Sequence, residues 1–163
     1  MPSTSENSQE IPDPQVRDAG DQYDNARRIL EAQAPGSGIL LPLLNNSIMA
    51  VELYLKSLSA SRVVRPMPHS KWSKIYAKPK QRGHNLRELL DAIPDELRER
   101  LERGFRERHS GELVATLCSY EGLLSESRYA YEESCGLGRY PLGPLMIVSA
   151  FLRDFVANVN PLE

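Results

Sequence analysis

Residues 40–59, LLPLLNNSIMAVELYLKSLS, carry the clearest hydrophobic periodicity of the chain. Apolar residues return every three or four positions: Leu40, Leu44, Ile48, Val51, Leu55 and Leu58. This period places them on one face of an α-helix, and Pro42 is compatible with a first helical turn. The stretch therefore predicts a helix whose apolar face packs against a core.

Weaker patterns of the same kind lie on both sides of this stretch. Residues 18–34 predict a short helix that Pro35 and Gly36 end. Further helices are predicted at 84–92, 94–108, 112–132 and 141–158, the last being the most hydrophobic. No strand of period two is predicted, so the sequence predicts an all-α fold, a mostly antiparallel helical bundle.

Length and composition predict one domain in a reducing compartment. The chain has 163 residues, which suits a single core at about 18–160, while the polar, acidic residues 1–17 predict a disordered tail. Apolar stretches are too short to span a membrane and the start lacks a secretory signal, so we expect a cytoplasmic protein with no membrane contact. Two separated cysteines and three scattered histidines predict no disulfide framework, no metal site and no cofactor.

Residues 61–83 differ in character because they contain seven lysines and arginines and no acidic residue. Three prolines exclude a long helix, so the segment is predicted to be a basic loop, in which Trp72 and Tyr76 share one face of a helical turn. Cations hold phosphates and aromatic rings stack on bases, which favours binding of RNA or other single-stranded nucleic acid. The alternatives are a solubilising loop or docking on an acidic partner. The candidate nucleic-acid residues are Arg65, Lys71, Trp72, Lys74, Tyr76, Lys78, Lys80 and Arg82.

A second group of candidates is polar and lies on or beside the helices. Arg128 is in line with apolar residues such as Leu124, so it is expected to be partly buried against a carboxylate, for which Glu52 is the candidate. Glu52 and Lys56 stand one helical turn apart, and His84 opens a predicted helix. The alternatives are an interhelical salt bridge, an arginine that extends to water, a surface ion pair and a capping histidine.

Sequence signatures of common enzymes are absent. The chain has no GxxxxGK[ST], HExxH, GxSxG or strand-preceded GxGxxG motif. The sequence therefore favours a protein without catalytic activity, although it leaves the question open.

Three segments together resemble the HEPN superfamily of small helical domains: 45–56 (NNSIMAVELYLK), 83–90 (GHNLRELL) and 126–132 (ESRYAYE). The resemblance implies an antiparallel four- to five-helix up-and-down bundle that pairs across a two-fold axis, and a polar cluster of Glu52, Lys56, His84 and Arg128. Many members cut RNA without metal, using an arginine followed by a histidine. Arg128 falls where that arginine is expected, but Glu133, Ser134 and Cys135 stand where the histidine should be. Arg103 and His109 have the required spacing in a different context, which we interpret as chance.

The resemblance implies a dimeric, non-catalytic HEPN-like protein that binds RNA, a nucleotide or a protein. A defence or toxin-antitoxin system with a nucleotidyltransferase-like partner would suit it. One alternative is a metal-independent ribonuclease with a degenerate motif, using Arg128 and an unrecognised base. The other is a structural assembly subunit in which the polar cluster only joins helices.

Overall fold

The structure is a computed structural model that describes residues 7–8, 10–132 and 136–159. Helices make up most of the described part. They are α1 (Pro14–Glu31), α2 (Leu40–Ser57), α3 (Leu86–Asp91), α4 (Asp95–Arg108), α5 (Leu113–Cys118), α6 (Leu123–Arg128) and α7 (Leu142–Asn158), with a 3-10 turn at Leu137–Arg139. In the described part of the chain, no helix combines the length and hydropathy that a membrane crossing requires.

The core is built around α2, which packs against α1, α3, α6 and α7. Ile48, Val51 and Leu55 on its predicted face are all buried. Leu145, Val148 and Leu152 of α7 are buried too, so the broad apolar stripe of α7 is used inside one chain. The helices predicted at 40–59 and 141–158 are confirmed, with ends within two residues of those predicted.

Helix α1 approaches α2 closely and buries polar residues. Its Gly20 lies against the Tyr54 ring, and the Tyr54 hydroxyl donates a hydrogen bond to Asp21 at 2.9 Å. Burial raises the pKa of the Tyr54 phenol far above its ordinary value, and the hydrogen bond to Asp21 acts in the same direction. Arg27 Nε donates to Asp24 Oδ1 at 2.7 Å, and Ser149 of α7 donates to the same oxygen at 3.2 Å. This buried polar group therefore joins α1 to α7.

The prediction of an all-α bundle is wrong, because the chain also forms a small antiparallel sheet. Strand β1 (Asn7–Ser8) pairs with β2 (Ala60–Pro66), which pairs with β3 (Ser73–Pro79). The predicted basic loop is thus mostly a β-hairpin whose two long strands each end at a proline. The apolar pattern does not reveal β2, because Arg62 and Val64 lie on one of its faces and Val63 and Arg65 lie on the other. Neither face is apolar, and the alternation that marks a half-buried strand is missing.

Two further boundaries differ from those predicted. The helix expected over 112–132 is divided into α5 and α6, because Gly122 adopts a left-handed conformation with φ of 85°. Of the predicted disordered tail, residues 1–6 and 9 lie outside the described residues. Asn7 and Ser8 pair with β2, and Asp13 caps α1 by accepting a hydrogen bond from the Val16 amide at 3.0 Å. The ordered fold therefore begins before residue 18.

Candidate functional site

Three of the four residues predicted to form a polar cluster meet at one point. Lys56 Nζ donates to Glu52 Oε1 at 2.6 Å, and His84 Nδ1 lies 2.8 Å from Glu52 Oε2. Glu52 is 2% exposed, whereas the His84 side chain is 61% exposed. Both carboxylate oxygens thus have partners within the chain, as a buried charge requires.

The segment 83–90 explains why His84 reaches α2. Gly83 has a φ of 103°, a value that suits glycine and turns the chain after the hairpin. Asn85 caps α3 by accepting a hydrogen bond from the Glu88 amide at 3.0 Å, and Leu86 is buried in the core. The turn, the cap and the buried leucine together hold His84 against Glu52. We name Glu52, Lys56 and His84 the carboxylate cluster.

The carboxylate cluster joins parts of the fold that are distant in sequence. Glu52 and Lys56 lie on α2, while His84 lies between the end of β3 and the start of α3. Glu52 is nearly fully buried and both its carboxylate oxygens have partners, so a ligand has little access to it. No group of three or more histidine, cysteine, aspartate or glutamate side chains within the described ranges could hold a metal ion. The geometry is that of a connection between α2 and the hairpin end.

The burial predicted for Arg128 is wrong. Arg128 is exposed at the last residue of α6, and Lys56 and His84 supply the partners of Glu52 instead. The prediction extended the apolar stripe through residue 131, but the helix ends at 128 and Tyr131 is largely exposed. Residues 133–135, where the HEPN histidine would be expected, lie outside the described residues.

The candidate nucleic-acid residues lie on and around the hairpin. Opposite residues in an antiparallel pair share a face, and the register pairs Ser61 with Lys78, Val63 with Tyr76 and Arg65 with Lys74. The Met67 amide donates to the Trp72 carbonyl at 3.1 Å, which continues the ladder by one pair. We name this surface the hairpin face. It comprises Ser61, Val63, Arg65, Met67, Trp72, Lys74, Tyr76 and Lys78.

Trp72 and Tyr76 therefore share a face, but in a strand rather than in the predicted helical turn. Positions four apart coincide in both structures, because a strand repeats every two residues and a helix nearly every four. Trp72 is 78% exposed, and Lys74 and Lys78 are exposed beside it. Arg62 lies on the opposite face, where its guanidinium is 3.5 Å from the Glu10 carboxylate.

The remaining predicted cations lie beyond the paired strands. Lys71 is in the exposed connection between β2 and β3, and Lys80 and Arg82 follow β3. Lys80 lines a depression of about 550 Å³ at the base of the hairpin face, together with Ser59, Ser61, Val63, Tyr76, Lys78 and Pro79.

Sequence reasoning missed the contribution of Ser59, Ser61 and Val63 to this surface. A signal was present in the alternation of Trp72, Lys74, Tyr76, Lys78 and Lys80, which has the period of a strand. Aromatic and basic side chains alternate there with Ser73, Ile75, Ala77 and Pro79, so the period-two pattern of β3 was present but short.

Comparison of the chain with protein-family models, with curated proteins and with solved structures finds no match. The resemblance to the HEPN superfamily therefore stays a prediction, and no family is assigned to the chain.

Proposed function

We propose that the chain binds single-stranded nucleic acid on the hairpin face, as a binding protein with no catalytic step of its own. The observation that carries this proposal is the strand register, which the Met67–Trp72 backbone hydrogen bond extends by one pair. It aligns Trp72, Lys74, Tyr76 and Lys78 on one face, with Arg65 opposite Lys74.

The chemistry of this face suits a single strand. Lysine and arginine attract phosphates regardless of sequence, and exposed rings stack on bases at about 1–3 kcal/mol per base. Trp72 and Tyr76 are about 13 Å apart along the strand, at about 3.3 Å per residue. A single strand can unstack its bases, so two bases separated by a few nucleotides can reach the two rings. The bases of a duplex are stacked on one another and cannot do so.

The carboxylate cluster supports this proposal by positioning the hairpin. His84 follows β3 closely in the chain and contacts Glu52 on the buried helix α2. A hairpin fixed at its base presents its face in one orientation to a ligand. The predicted homodimer, nucleotidyltransferase-like partner and toxin-antitoxin context stay predictions, as do the ribonuclease and assembly-subunit alternatives.

Trp72 is the only tryptophan of the chain, so its fluorescence reports directly on the hairpin face. We expect 20-nucleotide oligo(dT) or oligo(U) to quench this fluorescence at low salt. Replacing Lys71, Lys74 and Lys78 by glutamate should weaken binding at least tenfold, because it removes three cations and adds three anions.

The matched control replaces Arg28, Arg103 and Arg108, which are exposed on α1 and α4, by glutamate. This variant has the same net charge as the lysine variant and should retain most of the affinity. An equal loss in the two variants would show that net charge alone drives binding, and an unchanged affinity of the lysine variant would refute the proposal.

A further inference from the structure

The hairpin face is exposed to solvent at its tip and meets the helical part of the fold at its base. Trp72 at the tip is 78% exposed and Met67 beside it is 49% exposed. Val63 and Tyr76 in the middle are partly buried. At the base, where β2 leaves the end of α2, Ser59 is 3% exposed and Ala60 is fully buried. A ligand strand that follows the face from the tip therefore reaches the helical body at Ser59.

The depression of about 550 Å³ lies at this closed end. Its volume is in the range of small-molecule sites and is large enough for one nucleotide. Its lining residues include Lys78 and Lys80, whose side chains carry ammonium groups, and Ser59, Ser61 and Tyr76, whose side chains carry hydroxyls.

The serine hydroxyls of this depression are weakly engaged. Ser59 Oγ lies 3.4 Å from the Lys56 carbonyl oxygen, and Ser61 Oγ lies 3.5 Å from the Lys78 carbonyl oxygen. Hydrogen bonds this long are weak, so the hydroxyl of Ser61, which is partly exposed, can rotate toward a ligand at small cost.

We infer that this depression binds the terminal phosphate of a single-stranded nucleic acid whose adjoining nucleotides lie along the hairpin face. The inference rests on the proposed function and adds the class of substrate: a phosphorylated chain end rather than an internal segment.

Charge and geometry both favour a chain end. A phosphate monoester carries about −1.5 to −2 at neutral pH, whereas a phosphodiester carries −1, so two lysines beside one another match the monoester better. An internal segment that follows the face has to continue past the buried Ser59, whereas a chain end stops in the depression. The alternative is an internal segment that crosses the strands of the hairpin, and the test would then show no preference for a phosphorylated end.

The test compares 20-nucleotide DNA oligonucleotides of one sequence that differ only in their ends. The four forms carry hydroxyl ends, a 5′-phosphate, a 3′-phosphate, or no end because the strand is circular. Affinities are measured by Trp72 fluorescence at one salt concentration. We expect one phosphorylated form to bind at least fivefold more tightly than the hydroxyl form, and the circle to bind more weakly than either.

Two variants assign the preference to the depression. Lys80→Gln should reduce the ratio between the phosphate-ended and hydroxyl-ended affinities to about one. Lys71→Gln, which removes a cation from the opposite end of the hairpin, should lower both affinities and keep the ratio.

The two proposals fail in distinguishable ways. Equal affinities for all four forms, or a ratio that survives Lys80→Gln, would overturn the inference and leave the proposed function standing. Absence of any binding to the linear forms would overturn the proposed function and the inference with it.

Discussion

Glu52 shows how a buried charge organises its neighbours at the scale of single residues. Both carboxylate oxygens are within 2.8 Å of a basic nitrogen. The pairing with Lys56 follows from sequence alone, because residues one turn apart on a helix are adjacent. The grouping of His84 with Glu52 was implied only by the resemblance, and the burial predicted for Arg128 was wrong because it required a helix that continues past 128.

Glu52→Gln should lower the free energy of unfolding by about 1–3 kcal/mol, because Lys56 loses its counter-charge in a partly buried site. This loss of stability is smaller than that expected for a fully buried ion pair, because the His84 side chain is mostly exposed. Urea denaturation followed by circular dichroism measures the change.

The control for this variant is Glu99→Gln, at an exposed position of α4, which should change stability by less than about 0.5 kcal/mol. Equal stabilities of Glu52→Gln and the parent protein would show that the carboxylate cluster does not connect α2 to the hairpin end.

At the scale of secondary-structure elements, the sequence predicts an element when that element buries a continuous apolar face. α2 and α7 bury continuous apolar stripes, so their periodicity alone located them. The hairpin buries neither of its faces completely and joins the fold at its base. Its sequence is therefore marked by basic and aromatic side chains rather than by apolar positions. The division of α5 from α6 depends on one left-handed glycine, which periodicity does not reveal. The candidate nucleic-acid residues stay a prediction as a binding site, and the face that several of them share follows only from the strand register.

The packing of α1 on α2 makes a prediction about Gly20. A Cβ atom there would lie 2.9 Å from Cδ1 and Cε1 of Tyr54, whose ring is buried and cannot easily move. We expect Gly20→Ala to destabilise the protein by about 1–3 kcal/mol, because overpacking outweighs the gain in helix propensity of about 1 kcal/mol.

Gly104→Ala in α4 is the matched control, since its Cβ would meet Phe151 at an ordinary contact distance of 3.8 Å. This variant should be neutral or slightly stabilising, by up to about 1 kcal/mol. Thermal melts of both variants measure the difference, and a stabilised Gly20→Ala would mean that α1 and α2 are further apart than described.

At the scale of the whole molecule, the positive and negative charges lie in different parts of the chain. The net charge of −2 separates into +7 on residues 61–83 and −9 on the rest of the chain. A near-neutral total therefore conceals a basic hairpin on an acidic body. Such a division orients an anionic strand toward the hairpin and repels it from the helical part.

This division of charge predicts how affinity depends on salt. Four cations, Arg65, Lys74, Lys78 and Lys80, lie on the hairpin face or line its depression. With Lys71 at the tip there are five cations, and each neutralised phosphate contributes about −0.7 to the slope of log K against log salt for a single strand, so we expect a slope of about −3.5. Fluorescence titrations between about 50 and 200 mM salt measure this slope.

Lys74→Gln should reduce the magnitude of the slope by about 0.7, whereas Arg28→Gln on α1 should leave it unchanged. A slope near zero would mean that phosphates are not bound here, and stacking alone would then have to account for any quenching of Trp72.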